Sequence, residues 1–179
     1  MQTKKTAAIS IIILSLITVI SCNELDKLLT FTVSDEVTFK INSGLSINTP
    51  FEVATPDVTT NSSTEFNNNN TDANLVKDAT LREIKLSILN PADKTFSFLK
   101  SVHIYISTTA DDEIELAYLD NINTAVNTIN LTCTTKNLDK YIKASSYKLR
   151  TAITTKETYS QDIEVKANIS FKVTADPFN

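Results

Sequence analysis

One histidine and two cysteines set the limits of the acid–base and nucleophilic chemistry open to this chain: His103, Cys22 and Cys133. A Ser-His-Asp or Cys-His arrangement needs an imidazole beside its nucleophile, so any such site has to be built on His103. The local pattern points elsewhere. Val102, Ile104 and Ile106 read as one face of a strand, and His103 and Tyr105 as the other. His103 is therefore expected on the wet face of a sheet. Catalytic zinc commonly takes two or three histidines, so a lone one argues against it. Cys133, in step with Ile129 and Leu131, is expected to be a small hydrophobe buried in a strand. No cofactor is expected.

Asp111, Asp112, Glu113 and Glu115 form the densest acidic cluster. Asp111, Asp112 and Glu113 are a calcium candidate, but the spacing lacks the EF-hand order and its glycine. A solvated turn is the plainer reading. A glycosidase pair could come from distant strands, yet the chain has no Trp and few aromatics to grip a sugar. The five tyrosines are Tyr105, Tyr118, Tyr141, Tyr147 and Tyr159. They could form a glycan- or protein-binding platform, although most fall in register with strand faces. His103 and Tyr105 are the candidate binding surface.

The remaining cysteine sits in a different context. Lys4 and Lys5 precede an apolar run of 14 residues at 7–20, which ends Val19-Ile20-Ser21-Cys22. That length suits a secretory h-region and is short of a spanning helix. The four residues resemble the lipobox of bacterial lipoproteins, in which an aliphatic residue stands three before the cysteine. The resemblance implies cleavage between Ser21 and Cys22, diacylglycerol on the Cys22 thiol and acylation of the freed amine. A single acyl chain binds a bilayer only marginally, at about 0.8 kcal/mol per buried CH₂, so two or three chains on one residue would make attachment effectively permanent. Asn23 stands where an aspartate would signal inner-membrane retention in that class. The cell envelope, at the outer membrane, is the expected address, on its periplasmic or surface face.

Removing residues 1–21 leaves 158 of the 179 residues, enough for one domain without a staple. The whole chain has 17 basic and 21 acidic residues; without Lys4 and Lys5 the balance is 15 against 21, or −6. Such a surface does not attract nucleic acid. Gly44 is the sole glycine, which excludes a glycine-rich phosphate loop.

The rest of the chain reads as strands. Phe31 and Val33, then Val37, Phe39 and Ile41, alternate with polar residues. Asn42-Ser43-Gly44 predicts a turn, with Leu45 and Ile47 opening a returning strand. Leu81, Ile84, Leu86 and Ile88 form a strand before the turn Asn90-Pro91-Ala92-Asp93. Ile114, Leu116 and Tyr118 share one side of another strand. Leu138, Tyr141 and Ile142 fall at helical spacing. Ile163, Val165, Ala167, Ile169, Phe171 and Val173 line one face of the longest strand. Residues 59–73, with four consecutive asparagines, are expected to be a mobile loop.

The expected fold is all-β: an antiparallel Ig-like sandwich of about eight or nine strands over residues 28–179, with one short helical turn. Residues 22–27 would be its lipidated tether. At the level of pattern, residues 81–88, 97–106, 138–142 and 161–173 also resemble small uncharacterised Bacteroidetes-type lipoproteins; no catalytic residues come with that resemblance. The expected function is non-enzymatic: a protein anchored in the membrane through lipid on Cys22, engaging an unknown protein or glycan. A fimbrial or assembly component that pairs through an edge strand is the alternative, and a small hydrolase ranks below both.

Overall fold

A computed structural model describes residues 29–176. Ser21, Cys22 and the tether at 22–27 lie outside the described residues. Two antiparallel sheets pack face to face. The first runs β1-β10-β4-β7 and the second β2-β9-β5-β6-β8, with the short β3 pairing to β9. The strands are β1 (Thr30–Ile41), β2 (Pro50–Val53), β3 (Val58–Thr59), β4 (Val76–Asn90), β5 (Leu99–Ser107), β6 (Ile114–Leu119), β7 (Thr128–Asn130), β8 (Thr132–Cys133), β9 (Ser146–Thr155) and β10 (Ile163–Ala175). The all-β expectation holds, with ten strands among the described residues.

The driving force is legible in β10. Ile163, Val165, Ala167, Ile169, Phe171 and Val173 are all at most 1 % exposed. Burying a large aliphatic or aromatic side chain contributes about 1.5–3 kcal/mol, so this row alone is a main source of cohesion. On either side, β1 pairs β10 along its whole length, and β4 pairs the other edge. In β4 a bulge at Arg82 switches the parity, so Leu81 and Ile84 both face inward. The three-residue spacing of those two apolar residues is its trace in the sequence.

Three expectations need correction. Leu45 and Ile47 do not return along β1. Gly44 does turn the chain, at φ +79°, but the next strand is β2, which pairs β9 in the opposite sheet. The chain thus crosses between layers, and β1 is left as an edge of the first sheet. Residues 59–73 are not a plain loop: they hold α1 (Ser62–Asn68), and a 3₁₀ turn follows at Ala73–Leu75. Phe66 supplies the reason. It is 4 % exposed and meets Phe31 edge-to-face, with ring centroids 6.0 Å apart, so one aromatic anchors an otherwise polar segment. Tyr118 is on the other face from Ile114 and Leu116, for a reason given below. The short helix expected near Leu138 is present as α2 (Asp139–Lys143). Asn137 accepts the backbone N–H of Asp139 at 2.8 Å there.

Candidate functional site: the outer face of the second sheet

His103 and Tyr105 do project from the outer face of β5, as alternation requires. Their cross-strand neighbours make the site. On β9, Ala152 lies opposite His103 and Arg150 opposite Tyr105. On β6, Tyr118 lies opposite His103 and Glu115 opposite Tyr105. A bulge at Leu116 creates this arrangement. It lets Leu116 and Ala117 both point into the core, at 0 % and 1 % exposure, and so turns Tyr118 outward. Strict alternation would have buried that tyrosine.

The face is held by two charged knots. In the first, Arg150 donates from Nε to Glu113 Oε2 at 2.8 Å and from an Nη to Glu113 Oε1 at 2.7 Å. Its other Nη reaches Glu52 Oε1 at 3.0 Å. The guanidinium lies 4.0 Å from the centre of the Tyr105 ring, a cation–π contact. Arg150 holds the Glu113 carboxyl below its usual range. In the second knot, His103 Nδ1 is 2.7 Å from Glu115 Oε1, and Nε2 is 3.2 Å from Asp120 Oδ1. The imidazole stacks on Tyr118, with centroids 5.8 Å apart and planes 18° apart. Burial works against the imidazolium, but the Glu115 and Asp120 carboxylates outweigh it and raise the His103 pKa. A hollow of about 120 Å³ opens beside Tyr118, between β6 and residues Thr134 and Lys136.

The other sequence-predicted residues go elsewhere. Tyr141, Tyr147 and Tyr159 are buried. Their hydroxyls donate to Asp112 O, Asp35 Oδ2 and Asn42 O respectively, and burial pushes the Tyr159 pKa up to about 12. Only Tyr105 and Tyr118 of the five are left on the outer face. The acidic cluster is not brought together. Asp112 caps its own loop, accepting from the backbone N–H groups of Thr108 and Thr109 and pairing with Lys140 at 2.9 Å. Glu113 is turned to Arg150, and Asp111 is exposed. No group of three or more metal-ligating side chains converges among the described residues. Cys133 is half-buried, and burial raises its pKa.

Sequence reasoning named Tyr118 among the tyrosines but put it on the same face as Leu116, and it missed Arg150 and the pairing of Glu115 and Asp120 with His103. The one available signal was the pair Leu116-Ala117, two adjacent apolar residues in an otherwise alternating strand. Wider hollows, of about 370 and 430 Å³, lie on the first sheet around Asn168 and around Arg82, but no aromatic–histidine cluster lines them.

No family model and no curated protein matches this chain. Among solved structures, a chain from Desmodium yellow mottle tymovirus aligns over 84 % of this chain and 90 % of its own, at 10 % identity and a TM-score of 0.27. That likeness is too loose to bear on fold or function.

Proposed function

We propose that this chain is a lipid-anchored, non-enzymatic protein of the cell envelope. Its β-sandwich docks a protein or glycan partner through the outer face around His103 and Tyr105. The anchor rests on the residues already named: a basic start, a 14-residue apolar run and Val19-Ile20-Ser21-Cys22. In this reading the attachment is lipid on Cys22, at the outer membrane.

The observation that carries the docking surface is the pair of outward tyrosines. Tyr118 is 38 % exposed, Tyr105 is half-buried, and each ring is fixed against a cation or an imidazole. Tyrosines held in one rotamer lose little entropy on binding, which is why such residues serve as anchors. Edge-strand assembly has less support. β1 is the longest edge, but Asp35 points inward from it and binds the backbone of Asn61, at the start of α1. An inward charge on an edge strand disfavours pairing with a second chain. A hydrolase of the Ser-His or Cys-His kind would need a hydroxyl or thiol beside His103, whose two ring nitrogens instead face carboxylates.

Two experiments test the reading. Cys22→Ser should abolish incorporation of labelled palmitate and release the protein from membranes; retention of both would overturn the anchor. A photo-crosslinking residue placed at Tyr105 in cells should yield a discrete adduct, and one placed at Asn168, on the outer face of the first sheet, should not. No adduct at 105, or equal adducts at both positions, would overturn the docking face.

A further inference from the structure

We propose that His103 is a proton-operated clamp. Doubly protonated, it fastens both ends of β6 to β5; losing one proton, it lets the Asp120 end go. The argument is one of donors and acceptors. An ionised Glu115 or Asp120 can only accept, and a neutral imidazole has a single N–H. Both ring nitrogens face a carboxylate oxygen, at 2.7 and 3.2 Å. Both contacts can be hydrogen bonds only if both nitrogens carry protons. Once one proton leaves, a ring lone pair faces a carboxylate. The longer contact, to the more exposed partner, is the one that opens: the Asp120 side chain is 50 % exposed and that of Glu115 40 %.

Among the described residues no other group is placed to take over. From β6, Glu115 and Tyr118 face the imidazole, and Asp120 follows in the turn. From β9, Ala152 lies opposite, and Arg150 is committed to Glu113, Glu52 and Tyr105. Along β5, Tyr105 carries that guanidinium, and Lys100 reaches Asn48 Oδ1 at 3.1 Å. Release is local. Ile122 remains pinned, its N–H donating to Lys100 O at 3.0 Å and its carbonyl accepting from Lys156 Nζ at 2.6 Å. Asn121, at φ +51°, stands between the released Asp120 and the pinned Ile122. On its far side β6 pairs the two-residue β8 at Ala117 and Tyr118, so Leu119, beyond that pairing, depends on Val102 of β5. The charge change falls in the range where histidine acts as a switch. It would make the Tyr105–Tyr118 face more acidic and so regulate docking. That consequence rests on the function proposed above; the clamp itself does not.

His103 is the sole histidine, so the full chain labelled with ¹⁵N-histidine gives one imidazole to follow by NMR. The titration midpoint should lie above the ordinary value of about 6.5, and Glu115→Gln and Asp120→Asn should each bring it back towards that value. Amide protection at Leu119, corrected for intrinsic exchange, should drop as pH rises through the midpoint in the parent and stay level in His103→Gln. A parent midpoint at or below about 6.5, a midpoint that neither substitution moves, or protection that ignores the titration would each overturn the clamp. None of these readouts involves a partner. A failed clamp therefore leaves the crosslinking result standing, and the reverse also holds.

Discussion

The hydroxyl of Tyr147 donates to Asp35 Oδ2 at 3.0 Å, a buried hydrogen bond between the two sheets. Asp35 sits on the inward row of β1, 8 % exposed, and Tyr147 on the inward row of β9, 1 % exposed. The other carboxylate oxygen accepts from the backbone N–H of Asn61 at 2.9 Å. One side chain thus ties β1, β9 and the start of α1 together. Tyr147→Phe keeps the ring against Phe171, 6.2 Å away between centroids, but strips Oδ2 of its donor. Leaving a buried acceptor unpaired costs about 1–3 kcal/mol, a sizeable share of a typical total of about 5–15. Urea denaturation should show that loss with an unchanged slope.

The same carboxyl predicts a pH dependence. Desolvation raises the Asp35 pKa, and the hydrogen bonds from Asn61 and Tyr147 only partly offset it. The folded state therefore binds the Asp35 proton more tightly than the unfolded chain does. Stability from this group is fully present below the ordinary carboxylate value of about 3.9 and falls as pH rises through the folded value. Asp35→Asn abolishes that titration while removing one acceptor at every pH. The stability difference, parent minus Asp35→Asn, should fall with pH across this window and then level off. A difference independent of pH would contradict the assignment.

Asp35 also shows where the sequence stops being informative. The alternation of β1 is readable at Phe31, Val33, Val37, Phe39 and Ile41, and it puts position 35 on the inner face. A charge there breaks the pattern, and the donors that tolerate it, Tyr147 and Asn61, lie 112 and 26 residues away in the chain. Local pattern cannot supply partners at that distance. The layers of β9 and β10 were legible because period-two burial is a local property. The site was half legible for the same reason. His103 and Tyr105 follow from alternation, whereas Tyr118 needs a bulge and Arg150 a strand pairing. Likewise α1 was hidden because its composition is polar and its stability comes from one aromatic meeting Phe31.

That dependence on one ring is testable. Phe66→Ala removes the buried aromatic of α1, and such truncations cost about 3–5 kcal/mol. Ser substitutions at the exposed Asn67 and Asn68 should change stability by less than about 0.5 kcal/mol, as surface changes usually do. Thermal denaturation separates the two cases. Limited proteolysis should also show new cleavage between 60 and 73 in Phe66→Ala only. Equal effects from both sets would mean that the helix is held by its own backbone rather than by its packing.

Asp112 predicts the response to calcium. Its carboxylate pairs with Lys140 and accepts from Thr108 and Thr109, and these contacts, Lys140 foremost, hold its pKa well below the usual carboxylate range. Its carbonyl also takes the Tyr141 hydroxyl at 2.6 Å, so the loop is closed on α2 without a metal. Calcium needs about 6–8 oxygens, and to use this carboxylate it would have to displace Lys140 while Glu113 stays with Arg150. Excess calcium and excess chelator should therefore give the same thermal midpoint. A lowered folded pKa contributes stability above the ordinary carboxylate value, which is lost as pH falls through the folded one. Asp112→Asn should accordingly lower the midpoint at neutral pH, and its deficit should shrink on acidification. A midpoint that calcium raises in the parent but not in Asp112→Asn would show that the carboxylate leaves Lys140 for the ion.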